Sequence, residues 1–150
     1  MKILTTVGNT RFDALFKEVN RIARGKNWHM TYQISDGHYI PDSGSYFRFT
    51  DNIDPYYENA DIVITHGGAG TIFKLLKLRK KIIVVLNSQR VDPHQAEIVN
   101  YVNENSYGLA CFELNQLERL LDQVVNFSPT IYTDTPFLKA KEIIEMLDII

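Results

Sequence analysis

The stretch that most constrains this chain is Ile62-Val63-Ile64-Thr65, four β-branched residues in a row, which stops abruptly at Gly67, Gly68 and Gly70. Branching at Cβ favours the extended backbone, and an unbroken apolar run fits a strand buried on both faces. Beyond the glycines, Ile72, Leu75 and Leu76 recur at the spacing of one helical face. The segment therefore reads as strand, glycine turn, helix.

The same alternation runs along the chain. Residues 3–7 form a short buried-strand pattern that ends at Gly8-Asn9-Thr10. Phe12, Leu15, Phe16, Val19, Ile22 and Ala23 then mark a helix that Gly25 stops. A second strand is expected over 29–34, a polar loop over 35–45, and a short strand over 46–49. A short helix over 51–59 carries Pro55 in its first turn. A strand over 82–86, a polar loop over 87–93, a helix bearing Ile98, Val99 and Val102, and a short strand over 109–112 follow. Helices are expected over 114–125 and 137–147, with Pro129 between them. Buried strands alternating with amphipathic helices predict an α/β fold: a Rossmann-like parallel sheet with helices on both faces. Ligands of such sheets bind at the carboxyl ends of the strands, which singles out the loops after Val7, Thr65 and Leu86.

At 150 residues the chain suits one domain spanning 1–150. Its near-neutral net charge of -2 and lack of a basic stripe argue against a nucleic-acid partner. The densest cationic cluster, Lys77, Arg79, Lys80 and Lys81, reads as charge complementing the end of the preceding helix. A single cysteine, Cys111, sits in an apolar run and reads as core in a reducing compartment. No stretch approaches the length of a membrane span, so a soluble, cytoplasmic protein is expected, recruited to a membrane only through a partner.

The glycine turn carries the chemistry. Without Cβ atoms at Gly67, Gly68 and Gly70 the backbone can approach a ligand closely, and the free N–H groups at a helix start favour an anion. Thr71 adds a hydroxyl, and His66 places an imidazole at the strand tip. Close packing of helix and strand explains the glycines almost as well. Neither a Walker motif nor a dinucleotide-binding motif is present.

Taken together, Thr65-His66-Gly67-Gly68-Ala69-Gly70-Thr71-Ile72, Lys81-Ile82-Ile83-Val84-Val85-Leu86 and Asp92-Pro93-His94-Gln95-Ala96-Glu97 resemble the C-terminal domain of family 28 glycosyltransferases. The opening Thr6-Val7-Gly8-Asn9-Thr10-Arg11-Phe12-Asp13 is similar to a single-domain branch of that family, which supplies the soluble subunit of two-part transferases. The resemblance implies the donor-binding half of a GT-B enzyme. Its substrate would be a UDP-sugar, and a membrane-associated subunit would bring a lipid-diphosphate-linked saccharide in capsule or exopolysaccharide synthesis.

By the same resemblance, Gly8, Asn9 and Thr10 line the donor diphosphate from one side. His66, Gly68, Ala69, Gly70 and Thr71 hold it from the other, and Asp92, His94 and Gln95 face the sugar. Asp92, Pro93 and Gln95 also read as an ordinary helix entrance. His66, and by chemistry alone His38, are candidate general bases, although the family would draw that group from the facing subunit. With no Asp-x-Asp sequence, neither metal nor cofactor is expected.

The chain departs from the family at Lys74, which stands where a ribose-binding glutamate is common; at Arg79 and Lys81, in place of a glycine and a proline; and at Leu86, a frequent proline position. Lysine cannot accept the ribose hydrogen bonds. A non-catalytic regulatory subunit, and more distantly a stand-alone phosphate-binding enzyme, are the competing readings. The amphipathic stretch at about 136–148 is expected either to dock the partner or to pack on its own sheet.

Overall fold

The computed structural model describes residues 1–90 and 92–133. The expected tail helix lies outside them. Six strands, β1 (Lys2–Thr6), β2 (His29–Gln33), β3 (Gly44–Phe47), β4 (Ile62–His66), β5 (Lys81–Val85) and β6 (Leu109–Cys111), form one sheet. Five helices connect them: α1 (Asp13–Ala23), α2 (Asp54–Asn59), α3 (Ala69–Lys77), α4 (Pro93–Glu104) and, after a single 3-10 turn at Leu114–Gln116, α5 (Leu117–Val124).

Every strand pair is parallel, in the order β3-β2-β1-β4-β5-β6. This is the doubly wound Rossmann order, whose winding reverses between β1 and β4. Register across that break pairs Ile3 with Ile62 and Thr6 with Thr65. The loops after β1 and β4 therefore leave the sheet side by side at its carboxyl edge.

Alternation along the strands divides the core in two. Ile3, Met30, Tyr32, Ile62, Ile64, Ile83 and Val85 pack with α1 and α5, whereas Leu4, Val63, Ile82 and Val84 pack with α2, α3 and α4. Helices thus cover both faces, as the pattern predicts.

Several boundaries differ from the sequence expectation. β3 begins at Gly44, inside the expected loop, because its extent is set by pairing with β2 from Met30 to Gln33 and not by its own apolar alternation. α2 begins three residues late: the Asn52 side chain accepts from the Asp54 N–H at 3.2 Å, which closes a turn before Pro55.

The basic cluster also serves other helices than the one it follows. Lys80 Nζ donates to the carbonyls of Glu58 (2.8 Å) and Ala60 (2.9 Å) at the end of α2, and Lys81 Nζ donates to that of Val125 at the end of α5 (2.8 Å). Both lysines meet the negative ends of neighbouring helices.

Cys111 is fully buried, and its thiol donates to the Glu113 carbonyl at 3.1 Å. Burial pushes its pKa up to about 11. A thiol reagent at neutral pH should therefore modify it only after denaturation; rapid labelling of the folded protein would contradict this packing. Among the described residues no helix is long and apolar enough to cross a membrane.

Candidate functional site

The site begins with the turn after β1. Gly8 adopts φ +61°, a left-handed conformation that glycine takes without strain. The turn is braced by a residue that sequence reasoning missed, Gln33 at the end of β2. Its Oε1 accepts from Thr6 Oγ1 (2.6 Å) and from the N–H groups of Val7 (2.9 Å) and Gly8 (2.8 Å). Its Nε2 donates to the carbonyls of Gly8 and Arg48, both at 2.8 Å. One buried amide thus ties the β1 turn to the strand beside it. It also occupies the Gly8 N–H, so Gly8 meets a ligand through shape and not through its amide.

Opposite stands the glycine turn, whose three glycines have different reasons. A Cβ on Gly67 would lie 3.0 Å from both Cβ and the carbonyl oxygen of Gln95, so this glycine lets α4 pack against the turn. A Cβ on Gly68 would lie 3.0 Å from the His66 ring. At Gly70 a Cβ would meet nothing within 4 Å. Only Gly70, therefore, leaves space with nothing in the protein to fill it.

Gly68 precedes α3 without a side-chain cap, and no acidic residue lies in the first turn. The first hydrogen bond of the helix runs from Ile72 N–H to the Gly68 carbonyl, so the amides of Ala69, Gly70 and Thr71 have no acceptor within the helix. α4 contrasts with it: there Asp92 Oδ1 accepts from the His94 N–H at 3.0 Å. One helix entrance is closed by a carboxylate and the other is open.

Around the turn, buried polar atoms lack hydrogen-bond partners: Thr65 Oγ1, His66 Nδ1, His94 Nδ1 and Gln95 Oε1. Such orphans are costly and concentrate where a ligand or water completes them. His66 is 6% exposed, and burial holds its pKa below the ordinary 6.5, opposed by the Val7 backbone and the Gln95 side chain. It is therefore a neutral hydrogen-bonding imidazole near pH 7.

As pH falls below 6.5 the unfolded chain takes up this proton before the folded one, so the stability His66 contributes is present above 6.5 and is lost as pH falls toward its folded pKa. Replacing His66 with Gln should flatten that part of the stability curve. Denaturation of both proteins across the range checks it; parallel curves would contradict it.

Between the two turns lies a cleft of about 220 Å³ lined by Gly8, Asn9, Gln33, Phe49, Thr50, Ile53, Tyr57 and Thr71. Phe49 is 57% exposed at its rim. Gly8, Asn9 and Thr71, all expected at the site, thus share one cavity. The wall from Phe49 to Tyr57 lay outside the expected set: in the sequence Phe49 reads as the end of a short strand, and only the fold leaves it exposed at the rim.

Thr10, whose N–H donates to the Val7 carbonyl at 3.1 Å, helps close the β1 turn. Asp92, His94 and Gln95 lie on the far side of the glycine turn, at the start of α4. His38 is exposed, lies 3.4 Å from Arg11 and does not line the cleft at Thr71. A larger groove, about 510 Å³, lies by Lys2, Leu4, His29 and Thr31 toward the amino ends of the strands, away from every uncapped amide described above.

Lys74, the departure noted in the sequence, forms an ion pair with Asp54 of α2, and its ammonium lies 5.9 Å from the Tyr57 ring centre. Both partners are about half exposed, so the pair adds little stability. It fixes a carboxylate beside the cleft where the helix itself offers none.

Comparison with known proteins gives the family and the fold. The profile of the glycosyltransferase family 28 C-terminal domain matches residues 3–147. A UDP-N-acetylglucosamine transferase subunit, ALG13 of Candida albicans, is 34% identical over 76 residues, which are 51% of this chain and 26% of that protein. The chain thus matches about a quarter of that relative's length. The solution structure of an ALG13 superimposes with a TM-score of 0.65 at 17% identity, covering 98% of this chain and 96% of that one. MurG of Acinetobacter baumannii superimposes with a TM-score of 0.67 at 17% identity, covering 83% of this chain and 41% of that one. The architecture is that of one half of a GT-B glycosyltransferase. An unbroken family match over nearly the whole sequence, on a Rossmann sheet with an open helix entrance at its switch point, places this chain in the glycosyltransferase family 28 C-terminal domain family.

Proposed function

We propose that this chain is the donor-binding subunit of an inverting glycosyltransferase, taking a hexose or N-acetylhexosamine from UDP. The observation that carries the reading is the uncapped start of α3 beneath the open space at Gly70, facing the β1 turn. Three free amides and the helix dipole converge there, an arrangement suited to a diphosphate. The nucleoside then extends into the neighbouring cleft, its base against Phe49, while Asp92, His94 and Gln95 face the sugar.

Catalysis on this reading is electrostatic. Charge grows on the diphosphate as the sugar bond breaks, and preoriented amides stabilise it without reorganising. His66, neutral and packed beneath Gly68, contributes a hydrogen bond on the leaving-group side. The base that deprotonates the acceptor comes from a second, membrane-associated subunit. That subunit presents a lipid-diphosphate-linked saccharide and recruits this chain to the cytoplasmic face of the membrane, in capsule or exopolysaccharide synthesis. The ALG13 relatives, themselves described as transferase subunits, support a partnered enzyme.

A second reading, a diverged regulatory subunit that no longer transfers sugar, draws on the Lys74–Asp54 pair at the edge of the cleft. Calorimetry separates the two. The enzymatic reading expects UDP to bind far more tightly than inorganic pyrophosphate, and sugar transfer to appear when the membrane subunit is co-expressed. UDP no tighter than pyrophosphate, with no transfer by the complex, would favour the regulatory one.

A further inference from the structure

On the α1 side of the β1 loop lies a second polar cleft, of about 350 Å³, that the donor reading leaves unused. Arg11 and Lys17 reach it from the β1 loop and α1, and Arg90 reaches it from the loop after β5. None of these three cations has an ion-pair partner among the described residues. Among the described residues the Arg11 guanidinium hydrogen-bonds to the His38 ring, at 3.4 Å, and Lys17 lies 5.9 Å from the centre of the Tyr39 ring.

The one carboxylate in the cleft, Asp13, is engaged elsewhere. It accepts from the backbone N–H groups of His38 (3.0 Å) and Tyr39 (3.2 Å), so it braces a loop and leaves the cationic heads ungripped. α1 also begins at this cleft, and its N-cap position, Phe12, offers no side-chain cap.

Three like charges converging on one cavity repel each other, an arrangement that an anion relieves. A dianion or larger fits the charge count, and two arginines with a lysine suit phosphate oxygens. The cleft and the cavity at Thr71 have no lining residue in common.

We infer that the Arg11, Lys17 and Arg90 cleft is a second anion site that receives a diphosphate distinct from that of the donor. On the transferase reading above, on which this assignment of source rests, that diphosphate is the acceptor's, and the cleft helps bring two negatively charged substrates to one edge of the sheet.

The test is calorimetric titration of inorganic pyrophosphate into the whole chain, first alone and then saturated with UDP. The expected result is that pyrophosphate still binds one site when UDP is present. Arg11→Ala with Lys17→Ala should weaken that site by about tenfold or more, and UDP affinity should be unchanged. Arg11→Lys should restore part of the loss. A polyprenyl diphosphate binding the same site more tightly than pyrophosphate identifies a lipid-borne source, and equal affinity identifies a free phosphate.

Pyrophosphate that only competes with UDP, or double-variant losses that are equal for UDP and pyrophosphate, would overturn the second site while leaving donor binding intact. UDP that fails to bind at all overturns the donor reading instead. The cleft is then tested on pyrophosphate alone with the same variants.

Discussion

Gly70→Trp should abolish UDP binding and leave the fold intact. A Cβ at Gly70 would meet no protein atom within 4 Å, so a side chain can leave the backbone there without displacing the protein at its root, and an indole is expected to fill the space left for the ligand. Removing a glycine from the first turn of α3 also removes backbone freedom from the unfolded chain, so thermal stability should hold or rise slightly. The indole would cover the amides of Ala69, Gly70 and Thr71. Losing two or three charge-assisted hydrogen bonds predicts an affinity loss of at least about a hundredfold. Gly70→Ala is the control and should cost far less. Calorimetry with UDP, alongside thermal denaturation, distinguishes a blocked site from a broken one; normal UDP affinity in the tryptophan variant would refute the placement.

The second large effect concerns Gln33. Substituting Leu removes one side chain that satisfies five partners: the Thr6 hydroxyl, the amides of Val7 and Gly8, and the carbonyls of Gly8 and Arg48. Stranding even two of those groups in a buried setting should cost about 3 kcal/mol of folding stability. The β1 turn at Gly8 should loosen as well. UDP affinity should therefore fall even at temperatures where the variant remains folded, although Gln33 need not touch a phosphate. Gln33→Glu keeps the acceptor but replaces the donating amide, and it should land between wild type and Leu. Urea denaturation and UDP titration of the three proteins check this; a leucine variant as stable as wild type would show that the brace does not matter.

The contrast between these two residues explains what the sequence reveals and what it hides. Gly70 is visible because its reason is local: a β-branched run, a glycine cluster and a helical repeat follow one another between Ile62 and Leu76, each with its own backbone preference. The strand order follows almost as directly, since buried strands alternating with helices leave few arrangements of a parallel sheet. Gln33 is invisible because nothing near it in the sequence needs it. Its partners lie 25–27 and 15 positions away, and only the pairing of β2 with both β1 and β3 brings them to one amide.

Lys80 and Lys81 look like the end of their own helix until the chain folds and sets their ammonium groups against the carbonyls of α2 and α5. Lys74 looks like a lost ribose contact until α2 brings Asp54 beside it. Gly67 and Gly70 look alike in sequence. In the fold one is pressed by α4 and the other is free, so only one of them keeps a space for a ligand.

The most direct test of the central claim follows the backbone amides of the ¹⁵N-labelled protein by NMR as UDP is added. The largest shifts are expected at Ala69, Gly70 and Thr71, with smaller ones at Asn9 and along the wall from Phe49 to Tyr57. Shifts confined to other parts of the molecule, with those three amides unmoved at saturation, would contradict it.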